Sequence, residues 1–316
     1  MAHTLNEVYS TRSMKRRYEV WFLRLGLADG SEAWWFRYLL MNMGRGGCGA
    51  ADEEKPVQVW ATWFPRGGSP QHWIQGFRVE DLSLSPRGQS PFQFSLPGNS
   101  LDEQSCRGGL RVSGHEIGWD LRYHSNFRAT LSHKGWIGFS RTPHSDATFS
   151  GEIYLDGRSF RGEPLGVGVQ GHNCGFRHRN FWTWTHAVFT NADGSLSTLE
   201  ALVYEMPLGL VFRKALLWHK REAIEFRSFR KEVRNRNAME WKFRARSGNG
   251  AQLEVALDGT GPSVHRLPYV KTDCSGTFEV ANNSFSNARV AIMRPGQPEI
   301  VLETRGGAVL EMAGDL

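Results

Sequence analysis

LGVGVQGHNCGFRHRNFWTWTHAVF, residues 165–189, is the stretch on which the fold reading turns. Its first half places Gly166, Gly168, Gly171 and Gly175 at intervals that suit a strand forced to bend, or one approached closely by another backbone or a ligand. Past Asn180 the pattern becomes strict alternation. Trp182, Trp184, His186 and Val188 fall on one face, with Thr183, Thr185, Ala187 and Phe189 on the other. Two indoles and an imidazole in a row make a wall with an apolar body and polar tips, the surface expected of a ligand pocket.

Downstream, Asn191-Ala192-Asp193-Gly194 reads as a hairpin turn between strands at 181–190 and 196–205. On the returning strand Glu200, Leu202 and Tyr204 share a face, and Glu200 is expected to look across at the Trp182, Trp184 and His186 wall. Met239, Trp241, Phe243 and Ala245 alternate with Glu240, Lys242, Arg244 and Arg246, a strand with one dry and one wet side. Segments 253–257, 277–281, 288–293 and 300–304 continue at the spacing of a sandwich or barrel.

Upstream, Ala28-Asp29-Gly30-Ser31 joins strands at 18–25 and 32–41. Glu19, Trp21, Leu23 and Leu25 share one face of the first, and Trp35, Arg37 and Leu39 one face of the second. If these faces turn inward, Glu19 and Arg37 must pair, because an isolated buried charge is strongly unfavourable. The other arrangement sends both to solvent and puts Tyr18, Val20 and Phe22 in the core. The glycine-rich run 43–49 lacks the Gly-Lys-Ser/Thr of a phosphate loop and reads as a flexible connection. Strands follow at 57–64 and 71–80, then a Ser/Pro/Gly/Gln-rich excursion at 83–109 anchored by Phe92 and Phe94. Short strands at 111–112, 115–123, Trp136–Phe139 and 148–155 lead to a turn at Asp156-Gly157. No long amphipathic helix is legible. The prediction is all-β, two tandem lipocalin-like antiparallel domains at 1–160 and 161–316, with the central motif at their junction, a favoured place for a pocket.

Composition narrows the function classes. Hydrophobic content of 40% with twelve tryptophans points to a folded chain with a very aromatic core or a large apolar cavity. The formal charge of +6 leaves room for contact with an anionic membrane surface, but no aromatic-basic module of a nucleic-acid-binding fold is present. Cys48, Cys106, Cys174 and Cys274 are far apart and form no CxxC pair, which argues against a disulfide framework or structural zinc and fits a reducing compartment. The amino-terminal segment lacks an apolar signal region, so a cytoplasmic protein is expected. The sequence does not fix the oligomeric state.

Gln170-Gly171-His172-Asn173-Cys174-Gly175, followed by Phe181-Trp182-Thr183-Trp184, resembles the corresponding motif of the tocopherol cyclase-like family, which is related to carotenoid hydratases and lipocalin-like Diels–Alderases. Weaker matches run through Tyr18–Arg24, Trp35–Tyr38, Leu253–Val255 and Phe278–Asn282. Two departures stand out. The aspartate that carotenoid hydratases carry before the His-Asn pair is Gly171 here, and the tryptophan expected after Asn173 is Cys174. The resemblance therefore leans towards the cyclase-like branch.

It implies a cofactor-independent cyclase or hydratase/dehydratase acting on an apolar isoprenoid- or polyketide-like molecule, without metal. Protonating an alkene needs one acid in a dry aromatic cavity, whose indole faces stabilise the cation. His172 and Glu200 are the acid/base candidates and Asn173 an orienter. Trp182, Trp184, His186, Tyr204, Gln170, Glu19, Trp21, Trp35 and Arg37 are the expected substrate contacts. A non-catalytic carrier of lipid or pigment would use the same surface.

Overall fold

The computed structural model describes residues 5–133 and 137–314, so Trp136, expected to open a short strand, lies outside the described residues. Among the described residues the regular structure is strand almost everywhere, with the central strands Tyr18–Leu27, Glu32–Met41, Trp182–Thr190 and Leu196–Glu205 buried on both faces, and the helical content is four single 3-10 turns. Among the described residues no helix is long and apolar enough to cross a membrane.

Two antiparallel sheets divide the chain. The first holds β1 (Tyr18–Leu27), β2 (Glu32–Met41), β3 (Val57–Pro65), β4 (Gln71–Phe77), β5 (Ser83–Leu84), β6 (Gln93–Leu96), β7 (Asn99–Asp102), β8 (Ser105–Val112), β9 (His115–His124), β10 (Ala129–His133), β11 (Gly138–Leu155) and β12 (Arg158–Gly175). Its order is β4-β3-β2-β1-β12-β11-β9-β8-β7-β6-β5, with β10 paired to β11. The sheet curls into a half-barrel that brings Trp73 of β4 to 5.4 Å from His115 of β9. The 83–109 segment is not a loose excursion: it supplies the edge strands β5 to β8, and Phe92 and Phe94 pack on Trp21 at 5.0 and 5.9 Å.

The second sheet holds β13 (Trp182–Thr190), β14 (Leu196–Glu205), β15 (Val211–His219), β16 (Glu222–Asn235), β17 (Glu240–Ser247), β18 (Gln252–Asp258), β19 (His265–Val270), β20 (Thr277–Met293) and β21 (Ile300–Ala313). Pairing of β18 with β20 closes eight strands into a barrel and leaves β19 as a flap on β20. The fold is all-β, with two lipocalin-like units. The turn at Asp156-Gly157 is a hairpin inside the first sheet, and the passage between sheets falls between Gly175 and Trp182.

Each unit has its own apolar interior. Trp21, Trp34, Phe36 and Trp119 fill the first, where Phe36 stacks on Trp119 at 4.4 Å, and Phe226, Trp241 and Phe243 fill the second. A third cluster, including Phe22, Trp35, Trp184, Leu202 and Val309, lies between the sheets. Two further ties join them. Arg24 of β1, 1% exposed, donates to the carbonyls of Ser284, Gly306 (3.2 Å) and Ala308 (3.5 Å), and burial lowers its pKa to about 10. Cys48 is joined to Cys274 in a disulfide across 226 residues of sequence.

That bond corrects the reading of the cysteines. Only Cys106 and Cys174 are free, so cysteine spacing carries no argument for a reducing compartment. The glycine-rich run 43–49 is likewise held rather than loose. Cys48 anchors it, and Asn42 at its start donates to the Thr272 carbonyl at 2.9 Å.

Candidate functional site

A cavity of about 530 Å³ opens between the two sheets, within the range of small-molecule sites. From the first sheet come Tyr18, Val20 and Phe22 of β1 and Trp35 and Arg37 of β2. The second contributes Trp182 and Trp184 of β13, Leu202 and Tyr204 of β14, Tyr269 of β19 and Glu311 of β21. Asn173 of β12 adds to the first sheet's side, and His178 comes from the segment between the sheets.

The wall read from alternation is real. Trp182 sits opposite Tyr204, Trp184 opposite Leu202 and His186 opposite Glu200. Only the first two pairs reach the cavity. Glu200, 2% exposed, lies behind Trp184, whose Nε1 donates to Oε1 at 3.0 Å, and it also accepts from Thr142 Oγ1 at 2.8 and 2.7 Å. Burial raises its pKa to about 7, against the pull of those hydrogen bonds. His186 is sealed beside it with Nε2 on the Ser145 carbonyl at 2.7 Å, and burial lowers its pKa to about 3, so the ring is neutral.

His172 does not face the cavity. It shares the first sheet's interior face with Trp21, stacked at 4.6 Å, and both ring nitrogens are engaged. Nδ1 lies 2.7 Å from the Leu5 carbonyl and Nε2 2.9 Å from Glu19 Oε1. A carbonyl only accepts, so Nδ1 carries a proton. Glu19 also accepts from the backbone N–H groups of Tyr9 (2.9 Å) and Ser10 (2.5 Å). Gln170 is bound to Asn6 on the same side, its Nε2 donating at 2.9 Å, and Trp21 Nε1 donates to the Asn6 carbonyl at 3.2 Å. Together these four residues tie down the amino-terminal segment.

The expected Glu19–Arg37 ion pair is absent, and neither charge faces solvent. Phe22 stands opposite Arg37 and Glu19 opposite Leu40, so the two charges occupy opposite faces of one sheet. Arg37 donates to the Tyr269 hydroxyl and lies 5.5, 4.6 and 4.7 Å from the ring centres of Trp35, Trp60 and Tyr269.

Gly171 is explained by packing. A Cβ there would overlap the ring of Phe22, its cross-strand neighbour, so an aspartate at this place would require that ring to move.

Among the described residues, the carboxyl that lines the cavity is Glu311, absent from the expected site. Trp182 Nε1 donates to its Oε1 at 2.9 Å and the Tyr269 hydroxyl to its Oε2 at 3.4 Å. Burial raises its pKa, while the nearby charge of Arg37 opposes the rise. A lone acid in the apolar run Gly307–Ala313 was the available signal. Tyr18 and His178 stack at 4.3 Å; burial pushes the phenol up to about 12 and the imidazole down to about 3, so both are neutral. Four buried polar atoms of cavity-lining residues have no partner in the protein: Trp35 Nε1, Arg37 Nε, Asn173 Oδ1 and His178 Nδ1. Buried polar groups are nearly always satisfied, so these four atoms leave hydrogen-bonding capacity open towards the cavity. No cluster of three metal-ligating side chains occurs among the described residues.

No family model matches the sequence, and no curated protein matches it significantly. Among solved structures, CghA with Sch210972 aligns at a TM-score of 0.64 and 9% identity, covering 95% of this chain and 89% of that one. Kievitone hydratase from Nectria haematococca aligns at 0.55 and 10% identity, covering 100% and 96%. A putative AttH from Nitrosomonas europaea gives 0.52 and 12%, covering 96% and 94%. At these identities the likeness is one of fold: this chain shares the architecture of CghA and kievitone hydratase over nearly its whole length.

Proposed function

We propose that the protein is a cofactor-independent cyclase or hydratase/dehydratase, acting on an apolar small molecule in the cavity between the sheets. The observation that carries this reading is Glu311, a carboxyl whose pKa burial raises, held by Trp182 and Tyr269 in an otherwise aromatic wall. The shared fold with kievitone hydratase and CghA supports it.

In this scheme Glu311 delivers its proton to an unsaturated carbon. The positive charge that develops meets the indole faces of Trp182 and Trp184. Ring closure and loss of a proton to the carboxylate regenerates the acid. Capture by water, with the same proton return, gives hydration. Neither course transfers electrons to an outside acceptor. Asn173 orients the substrate, and Glu200 fixes the Trp184 ring from behind.

The test begins with native mass spectrometry of the purified protein to identify what it retains. Glu311→Gln should keep that ligand and lower turnover about a hundredfold or more, the usual contribution of a general acid. Full turnover by this variant rules Glu311 out. Ligand retained with no turnover by the wild type leaves a carrier.

A further inference from the structure

Arg37 is 9% exposed, and among the described residues no carboxylate lies within ion-pair distance of it. Its hydrogen-bond partner, the Tyr269 phenol, is kept neutral by burial. The three surrounding rings offer quadrupoles rather than a counter-charge. A buried guanidinium without an anion is costly, and the cost falls if a ligand supplies one.

The geometry around it is specific. Trp35 and Arg37 are two apart on β2 and therefore on one face, both line the cavity, and Trp35 Nε1 and Arg37 Nε are both buried donors without acceptors. Arg177 and Arg179 line the same cavity with no carboxylate of the described residues in ion-pair reach, while Arg16 is 3.5 Å from Asp273. The unpaired guanidinium groups of the lining, Arg37, Arg177 and Arg179, thus outnumber its one carboxyl, Glu311, a balance that favours an anionic guest.

We propose that the ligand is an anionic amphiphile, an apolar body ending in a carboxylate or enolate whose oxygen atoms accept from Arg37 and Trp35. This rests on the cavity being the working site and adds the chemical class of its occupant. The head group fixes which end of the molecule enters first, so the apolar body extends along Trp182 and Trp184 past Glu311.

The experiment compares a fluorescent conjugated-tetraene fatty acid with its methyl ester, at pH 7.5 and two salt concentrations. The acid should bind the wild-type protein roughly tenfold to a hundredfold more tightly than the ester, the value of a charge-assisted hydrogen bond. In Arg37→Gln that preference should fall to about twofold or less with ester affinity retained, and Arg37→Lys should restore part of it. Equal affinity for acid and ester on the wild type overturns the head-group assignment and leaves the cavity reading intact. Undiminished preference in a folded Arg37→Gln also overturns it. Binding of neither probe removes both. If Arg37→Gln does not fold, the wild-type ratio of acid to ester decides alone.

Discussion

Replacing Glu200 with Gln should stabilise the protein increasingly as the pH rises. The carboxyl is sealed behind Trp184, and burial raises its pKa from the usual 4.5 to about 7. A folded-state pKa above the unfolded one means that the folded chain binds more protons between those values. Its stability is then greatest below about pH 4.5 and is lost as pH rises through 7. At 1.36 kcal/mol per unit, the loss amounts to about 3 kcal/mol. Glutamine keeps both contacts, because its oxygen can accept from Trp184 Nε1 and its amide can donate to Thr142 Oγ1. It does not titrate, so the gap between variant and wild type isolates this one group. Urea unfolding followed by tryptophan fluorescence at pH 5, 6, 7 and 8 should show the gap widening in favour of Glu200→Gln by about 2–3 kcal/mol. A gap that stays flat over that range, or that widens in favour of the wild type, refutes the claim that desolvation governs this carboxyl.

Two other perturbations address how the halves hold together. Arg24→Met leaves the carbonyls of Ser284, Gly306 and Ala308 without their donor and should cost about 3 kcal/mol, measured by the same denaturation; an unchanged midpoint would show that water replaces the guanidinium. Cys48→Ser opens a covalent loop spanning 226 residues and should lower stability by up to about 5 kcal/mol, matched by adding reductant to the wild type. Identical melting temperatures for all three samples would show that the bond constrains nothing.

The amount of structure legible in the sequence depended on whether a turn fixed the register. The hairpin at 191–194 pins β13 to β14, so Trp182, Trp184, Leu202 and Tyr204 could be placed on one face without any distant contact. The four-residue turn at 28–31 held the same kind of information: pairing Leu27 with Glu32 forces Arg37 opposite Phe22, the parity that separates it from Glu19. His172 was harder. Its face is set by pairing of β12 with β1, some 150 residues earlier, and by the Leu5 carbonyl. Glu311 enters the cavity because β21 pairs with β13, and Tyr269 because β19 hangs from β20; neither contact has a local signature. The Cys48–Cys274 bond is of the same kind.

The cavity that Glu311 lines lies between the two units rather than inside either. Phe36 on Trp119 in one unit, and Trp241 beside Phe243 in the other, pack the centres of the two units, and this cavity lies along the seam. Trimming Val20 or Leu202 would enlarge the seam without hollowing out either packed centre. A scaffold arranged this way can change what it accommodates while the groups that make it fold stay untouched.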